Sequence, residues 1–422
     1  MDKQSILIVG AGAAGLIAAK ELSSQFNVTV LEARSRIGGR IHSNTINESL
    51  VEGGAEFIHG PLPVTLNLLK ESQINYIATE GKMYRKRNGG FVIQKEIVNG
   101  WDGLMQKMKA VKKDMPLFNF LQKNYGDHTN QYFRSQVIAY AEGFDLADIN
   151  EVSVRALHKE WSREDDTNYR IPAGYSALIN YLKLQAIEKG CTILIDKIVK
   201  NINWRQNFIT AFTSDNEVFE ANKLLVTVPL DMLTNAGSLS SIQFSPVINN
   251  YIKAAGDIGM GSVIKIVIKF KKTFWQNDAG FFLSDCPNFP TWWTQLPDTS
   301  PTLTGWFGGP KVKKISKQSD AELEELAFES LSTIFNISME SLQEMKEFAA
   351  VFNWDNMPLS AGGFSYDTLN SPSARAVLST PLFKTIFFAG EALYNGDHPG
   401  TVEAALVSGQ NAVAQILNCK NY

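Results

Sequence analysis

Several patterns that mark large classes of protein are missing from this sequence. Its three cysteines, Cys191, Cys286 and Cys419, are too few and too scattered for a disulfide framework or a zinc site. The 40 lysines and arginines are balanced by 43 acidic residues, so the chain lacks the positive excess typical of nucleic-acid-binding proteins. No apolar run approaches the ~18–20 residues of a membrane span, and no secretory segment is apparent. We therefore expect a cytoplasmic protein that binds no metal, nucleic acid or membrane.

The length and composition indicate a globular protein with more than one domain. The 422 residues supply enough chain for two or three domains, and 44% hydrophobic and 20% charged residues are ordinary values. Aromatic residues make up 11% of the chain, including eight tryptophans. Composition does not distinguish rings that fill a core from rings that line a pocket.

A glycine motif lies near the N-terminus, between a strand pattern and a helix pattern. Residues 5–9 are apolar and β-branched, a glycine turn follows, and an alanine-rich helical pattern extends to about residue 22. Residues 27–31 form a second strand pattern, so the spacing predicts a βαβ unit that opens a parallel sheet. In this context a Gly-x-Gly-x-x-Gly turn is typical of dinucleotide binding, although the turn alone would be weak evidence. The predicted ligand contacts in the turn are Gly10, Gly12, Ala14 and Gly15.

The second strand pattern ends at Glu32, where a carboxylate accepts hydrogen bonds from a ribose diol and repels a 2′-phosphate. This disfavours NADP and leaves NAD and FAD open. Residues 33–40 contain a second glycine turn with three arginines, and Arg40 is suited to clamp the pyrophosphate of a longer cofactor. A solvated loop is the alternative explanation for one or two of these arginines. The predicted contacts here are Glu32, Ala33, Arg34, Gly38, Gly39 and Arg40.

Five motifs are spread along nearly the whole chain, at residues 31–40, 52–57, 170–178, 388–391 and 401–403. Together they resemble the FAD-dependent amine oxidase family, which includes monoamine oxidases, polyamine oxidases, L-amino-acid oxidases and lysine-specific histone demethylases. The resemblance implies FAD as the cofactor and an α/β fold, in which a Rossmann-like FAD-binding domain with a parallel sheet is interleaved with a mixed α+β substrate-binding domain. The further cofactor contacts that it implies are Gly54, Ala55, Glu56, Phe57, Ile198, Trp354, Gly390, Glu391, Thr401 and Val402.

The nucleotide-binding patterns occur at both ends of the chain and once in the middle. We therefore expect residues 1–75, 190–235 and 380–422 to form one discontinuous FAD-binding domain. Residues 76–189 and 236–379 would form the substrate-binding domain, with a helical insertion in the first of these segments. The periodicity agrees with this division, because helical patterns dominate the region before residue 189 and strand patterns return after it.

Two lysines interrupt the most apolar strand pattern, residues 259–270. Lys265 and Lys269 share one face of that strand with Val263 and Val267, because side chains alternate along a strand. A buried lysine needs a partner or a task, whereas lysines on an edge strand would extend to water. From the residues alone, a buried lysine with a task and an edge-strand lysine that extends to water are equally supported. The resemblance implies that Lys265 is the catalytic-site lysine, which holds a water against flavin N5, and that Lys269 is a bystander.

The resemblance also implies a substrate-binding wall and a mode of flavin attachment. Phe364 matches an aromatic ring on the substrate side of the flavin, and Thr401 stands where monoamine oxidases carry a second ring. Gly363 stands where those enzymes bind flavin through a cysteine, so we expect non-covalent FAD. The predicted substrate contacts are His59, Phe364, Thr401 and Trp306.

The expected reaction is oxidation of an amine at its α-carbon, with hydride transfer to flavin N5 and electron transfer to molecular oxygen, which gives an imine or carbonyl product and H2O2. The substrate is a small amine, and Glu56 or Glu142 would suit the distal nitrogen of a polyamine. Two alternatives stay open. One is a related FAD enzyme such as a desaturase or porphyrinogen oxidase, and the other is a flavin-binding module without catalysis. The sequence does not indicate an oligomeric state.

Overall fold

The computed structural model describes residues 3–94, 96, 98–163, 167–234, 241–360 and 362–419. The predicted domain limits at residues 1, 235 and 422 lie outside these residues. Three 3₁₀ turns cover His128–Asn130, Pro310–Lys314 and Glu391–Leu393. The α-helices, in chain order, are α1 Ala13–Leu22, α2 Pro63–Glu71, α3 Trp101–Lys109, α4 Leu117–Tyr125, α5 Gln131–Gly143, α6 Val154–Trp161, α7 Ser176–Glu188, α8 Asp231–Thr234, α9 Asn249–Gly256, α10 Asp320–Phe335, α11 Met339–Met345, α12 Ser371–Leu378 and α13 Val402–Asn418.

The strands are distributed over six sheets of two to seven strands in the described part of the chain. In chain order they are β1 Ser5–Val9, β2 Asn27–Leu31, β3 Ser43–Ile46, β4 Ser49–Glu52, β5 Ile58–His59, β6 Ile77–Ala78, β7 Lys82–Arg87, β8 Gly90–Ile93, β9 Asn168–Arg170, β10 Thr192–Leu194, β11 Val199–Arg205, β12 Phe208–Thr213, β13 Val218–Ala221, β14 Lys223–Val226, β15 Gln243–Ser245, β16 Gly259–Met260, β17 Val263–Phe270, β18 Ala279–Leu283, β19 Thr291–Trp293, β20 Thr302–Gly308, β21 Lys346–Asn353, β22 Ser365–Tyr366 and β23 Ile386–Phe388.

A five-stranded parallel sheet organises the nucleotide-binding part of the fold. Its order is β10-β2-β1-β14-β23, and every neighbouring pair is parallel. Strand β1 is apolar on both faces because both are covered: Ile6 and Ile8 pack toward α1, α7 and α13, whereas Leu7 and Val9 pack toward the sheet that contains β11 and β12. This confirms the predicted α/β fold class. The strands come from three distant parts of the chain, and the residue limits of the two domains stay a prediction.

A seven-stranded sheet, with order β21-β17-β20-β19-β18-β7-β8, forms the second large layer. Strand β17 lies between β20 and β21 and is antiparallel to both. Its isoleucines, including Ile266, pack into a core that contains α10, while Val263 and Val267 on the opposite face contact a cluster with Phe352 and Trp354. Because β17 is an interior strand, the edge-strand explanation for Lys265 is wrong. Helices α3 to α6 pack around a separate hydrophobic core.

Helix α2 begins against a buried carboxylate from the C-terminal helix. Glu403, in the first turn of α13, is 2% exposed and accepts hydrogen bonds from Val64 N (2.9 Å), Thr65 N (2.7 Å) and Thr65 Oγ1 (2.7 Å). The first N–H groups of a helix have no intrahelical acceptor, so a carboxylate at this position satisfies them and suits the positive end of the helix dipole. The side chain therefore ties the last motif of the sequence to α2.

We expect Glu403→Ala to lower the free energy of unfolding by about 1–3 kcal/mol, because three donors, two of them buried, would lose their acceptor. Urea unfolding measures this change, and Glu325→Gln on the exposed side of α10 is the control variant. Equal stability of the two variants would contradict the capping role of Glu403.

Candidate active site

The first glycine turn has the geometry of a dinucleotide cradle. Gly10 has a left-handed φ of +109°, and a Cβ on Gly15 would lie 2.0 Å from Gly10 O, so helix α1 packs directly on the turn. A Cβ on Gly12, in contrast, would have no described atom within 4 Å. Gly12 is also the N-cap of α1 and supplies no side-chain oxygen to the first N–H groups of the helix. The turn therefore presents open space and a positive helix end to an anion.

The second glycine turn packs against the first. Gly38 N donates to Ala11 O at 2.8 Å, and a Cβ on Gly39 would lie 3.6 Å from Gly12 Cα. Glu32 is buried, and its two carboxylate oxygens accept from Ala11 N (2.8 Å) and Arg34 N (3.0 Å). Each oxygen keeps a second lone pair, which a ribose hydroxyl can use.

An unpartnered donor marks the same cleft. Arg34 Nη1 is buried and has no hydrogen-bond partner among the described residues, while Nη2 donates to Pro358 O at 2.7 Å. Such a donor costs about 1–3 kcal/mol, which fits a site that takes a polar ligand. Ala33 lies between Glu32 and Arg34 in the sequence. Ile198, in the connection between β10 and β11, is held near this region, because the neighbouring Lys197 N donates a hydrogen bond to Glu32 O at 2.8 Å. The open glycine turns and the free donor therefore fit FAD.

Arg40 joins the second turn to two distant segments. Its Nη1 donates to Glu391 Oε2 (2.9 Å) and to Gly363 O (2.6 Å). Glu391 is buried and accepts through Oε1 from Ser365 N and Ser365 Oγ, at 3.1 and 2.6 Å. These contacts use one of the three guanidinium nitrogens of Arg40. The pyrophosphate clamp stays a prediction, and the structure adds a role in holding the 363–365 segment.

The segment after β4 passes unusually close to the second turn. Gly53 N donates to His42 O at 2.8 Å, and a Cβ on Gly54 would lie 1.9 Å from Arg40 O. Only glycine fits at position 54 without moving that backbone. Trp354 Nε1 donates to Gly53 O at 2.8 Å and closes the other side. This packing fixes the backbone of Gly54, Ala55 and Glu56 opposite strand β17.

Lys265 reaches this segment from the middle of β17. The residue is 1% exposed, and its Nζ donates to Glu56 Oε2 at 2.7 Å and to Gly54 O at 3.1 Å. An ammonium has three N–H donors, so the contacts with described residues leave one for a water or ligand. The nitrogen also lies 5.5 Å from the ring centroid of Trp293.

Glu56 is held on its other side as well. Its Oε1 forms an ion pair with Arg170 Nη2 at 2.9 Å and accepts a hydrogen bond from Trp293 Nε1 at 3.0 Å. Burial by itself would raise the pKa of Glu56, but Lys265 and Arg170, with the hydrogen bonds, hold that pKa below its ordinary value. Arg170 was not among the predicted site residues, although it begins one of the five motifs. For Trp293 the sequence left a place at the border of the pocket and plain core packing as alternatives.

The predicted substrate residues fall in two groups. Phe364 contacts the loop before α13, because a Cβ on Gly400 would lie 2.9 Å from its ring. Thr401 is the N-cap of α13, and its hydroxyl accepts from Ala404 N at 3.2 Å and donates to His398 O at 2.7 Å. Val402 begins the helix, and Gly390, with φ +154°, has open space around its Cβ position. The Thr401 hydroxyl thus caps a helix, and its contact with substrate stays a prediction.

The second group is a row of aromatic rings near Lys265. The Phe57 ring centroid lies 5.9 Å from that of His59 and 5.6 Å from that of Trp293, which lies 6.0 Å from Trp306. His59 Nδ1 bonds Asn168 Oδ1 at 2.7 Å. Burial lowers the pKa of His59, and nearby His398 lowers it further, against the effect of the Asn168 bond. The net effect favours the neutral form of the His59 imidazole.

Comparison with known proteins agrees with this geometry. The family model for flavin-containing amine oxidoreductases matches residues 13–417. The chain belongs to this family. It is therefore a flavin-containing amine oxidase, as the sequence motifs predicted.

The most similar relatives include two groups of curated proteins. This amine oxidase is 26% identical to polyamine oxidase 4 of Oryza sativa subsp. japonica, over 96% of this chain and 87% of the rice protein. It is also 26% identical to lysine-specific histone demethylase 1B of Mus musculus, over 98% of this chain. The chain spans about half the length of that demethylase, 53%.

Solved structures share the fold at low sequence identity. Wild-type putrescine oxidase bound to putrescine has a TM-score of 0.83 and 18% identity, with 99% of each chain covered. Cyclohexylamine oxidase from Brevibacterium oxydans has a TM-score of 0.80, with 18% identity and the same coverage. Within the described part of this amine oxidase, we find no helix that combines the length and the apolar character needed to cross a membrane.

The two glycines of the first turn should respond differently to substitution. We expect Gly12→Ala to leave the stability of the FAD-free protein unchanged and to weaken FAD binding by roughly tenfold or more, about 1.4 kcal/mol, because the added methyl occupies the cradle. Gly15→Ala should destabilise the protein itself, because its methyl meets Gly10 O. Thermal unfolding of the FAD-free protein and an FAD titration measure the two effects, and a Gly12→Ala variant with wild-type FAD affinity would contradict the cradle.

Proposed function

We propose that this protein oxidises a small amine at its α-carbon with non-covalently bound FAD and molecular oxygen, in the cytoplasm. The single observation that carries the proposal is Lys265, which is buried on an interior strand with one N–H donor left beside the Gly54–Glu56 segment. When bound, FAD would supply the hydride acceptor at N5 and pass the electrons to oxygen, which gives H2O2. The carbon–carbon oxidising enzymes of related fold would have no evident use for this lysine.

The residues around Lys265 support an amine as the substrate. An amine must be neutral to release hydride from its α-carbon. Aromatic side chains around the amine favour its neutral form, because they exclude the water that would stabilise the ammonium ion. Phe364 and Trp306 pack on the cluster that contains Val263 and Val267, on the same face of β17 as Lys265. The proposed wall therefore stands beside the lysine and adds no positive charge.

The names of the relatives favour an amine with a second nitrogen, such as a diamine or polyamine. Glu142 is the carboxylate that we propose for the distal ammonium. It lies next to Gly143, whose carbonyl accepts from Trp306 Nε1 at 2.6 Å, and its side chain is 14% exposed. Burial raises the pKa of Glu142, while Lys311 at 3.4 Å lowers it.

The chain's own residues would divide the remaining tasks. The Glu32 carboxylate would hold the ribose, and the start of α1 would hold the phosphates. Helix α13 begins at Val402 with Thr401 as its cap, and the positive end of this helix stabilises negative charge bound beside it. Lys265 would hold a water or a cofactor atom through its remaining donor.

The mode of FAD attachment is directly testable. Gly363 carries no nucleophile, and none of the three cysteines lies in that segment of the sequence. We therefore expect acid precipitation of the FAD-loaded protein to release all of its yellow colour into the supernatant. A pellet that stays yellow after washing would show a covalent bond and contradict the proposal.

The reaction itself is tested by adding amines to the FAD-loaded protein without oxygen. We expect a monoamine, diamine or polyamine to bleach the flavin absorbance, and Lys265→Met to slow that bleaching or its reversal by oxygen by about 10- to 100-fold, or about 1.4–2.7 kcal/mol. Lys269→Met on the same strand is the matched control and should behave like the wild type. No bleaching with any amine would favour a non-catalytic module or a carbon–carbon oxidising enzyme, and an unaffected Lys265→Met variant would contradict the proposed role of Lys265.

A further inference from the structure

Two lysine–glutamate pairs lie on the same face of β17, and they differ in burial. The Lys265 and Glu56 side chains are 1% and 5% exposed, with 2.7 Å between Nζ and Oε2. The Lys269 and Glu347 side chains are 21% and 37% exposed, with 3.3 Å between them. An exposed pair contributes little, whereas two charges withdrawn from water need close and complete partners. The Lys265–Glu56 pair is therefore the one whose stability depends on further partners inside the protein.

Glu56 is fixed independently of Lys265. Arg170 comes from β9 and Trp293 from β19. Arg170 forms an ion pair with the Glu56 oxygen that does not contact the lysine, and Trp293 donates a hydrogen bond to the same oxygen. The Arg170 guanidinium is itself held, because its nitrogens also donate to Thr294 O at 2.8 Å and to Leu296 O at 3.1 Å. The carboxylate thus has one oxygen, Oε1, engaged and its orientation set before Lys265 is considered, and Oε2 is left for the lysine.

The charges around the lysine balance only through this carboxylate. Lys265 and Arg170 are two buried cations, and Glu56 lies between them. The other acidic group that acts on this cluster is Glu52, which accepts from Tyr175 N at 2.6 Å and from Ser43 Oγ at 2.8 Å. Burial raises the pKa of Glu52, and its described hydrogen bonds go to Ser43 and Tyr175 rather than to either cation. Loss of Glu56 would leave two cations nearly uncompensated.

We infer that Glu56 is a positioning residue for Lys265: anchored by Arg170 and Trp293, it fixes the lysine ammonium in one orientation with one donor free. This inference rests on the proposed function, because it assigns Lys265 a task at the flavin. In this role Glu56 does not bind the distal nitrogen of a polyamine, because both of its oxygens already contact groups inside the protein. Recognition of a distal ammonium then falls to other residues.

The inference predicts that Glu56 acts only through Lys265. We expect Glu56→Gln to slow anaerobic flavin reduction by roughly tenfold, and the Glu56→Gln/Lys265→Met double variant to be no slower than Lys265→Met alone. Glu347→Gln and Lys269→Met, the exposed pair, should match the wild type. Additive losses in the double variant would overturn the inference.

A second readout does not depend on turnover. Glu56→Gln makes the cluster more positive, so it should raise the midpoint potential of the bound flavin, whereas Lys265→Met should lower it. Shifts of the same sign, or no shift in Glu56→Gln, would overturn the inference, because a merely structural loss has no reason to give opposite signs. If no amine reduces the flavin of the wild type, the proposed function fails. The midpoint potentials would still show whether Glu56 and Lys265 act on the flavin with opposite charges.

A third comparison separates the effect of the position of the Glu56 carboxylate from the effect of its charge. It also keeps the inference testable if the Glu56→Gln variant does not fold. Glu56→Asp keeps the charge and shortens the side chain, so we expect slower flavin reduction with a potential close to that of the wild type. Its ratio of KM for a diamine to KM for a monoamine should stay unchanged. A wild-type rate in Glu56→Asp, or a selective rise in the diamine KM, would overturn the positioning role.

Discussion

The ion pair between Lys265 and Glu56 is the constraint on which the candidate active site depends. Burial of either charge alone is costly, and removal of one partner from such a pair typically costs about 3–5 kcal/mol. The pair draws together β17 and the segment after β4, and Arg170 adds β9. The pair therefore also fixes how the segment after β4 faces the seven-stranded sheet.

Glycines make this arrangement sterically possible, and they do so in two different ways. Gly15 and Gly54 are needed by the protein itself, because a Cβ on either would lie within about 2 Å of a backbone oxygen. Gly12 is not, since its Cβ position is open. The same motif thus contains one residue that packing requires and another that packing does not require and that is predicted to bind the cofactor, and the sequence pattern alone does not separate them.

Local patterns predicted much of the fold, and long-range contacts account for most of what they missed. The βαβ unit follows from periodicity over a few residues. Periodicity left the position of Lys265 open, and the interior position of β17 in its sheet decides it. Residues 192–204 also have strand character in the sequence, but the structure divides them between β10 and β11, which belong to different sheets. The partners of Glu56 and the bond from Arg40 to Glu391, 351 residues apart, depend on the tertiary fold and leave no periodic signal.

A crystal structure of the FAD-loaded protein tests the central claim most directly. The account predicts that the flavin ring lies against the free donor of Lys265, in direct contact or through one water, while Lys265 keeps its bond to Glu56. It also predicts the pyrophosphate at the start of α1 and Phe364 on the substrate side of the ring. A structure in which the flavin lies away from Lys265, or in which Lys265 leaves Glu56 when FAD binds, would contradict the account.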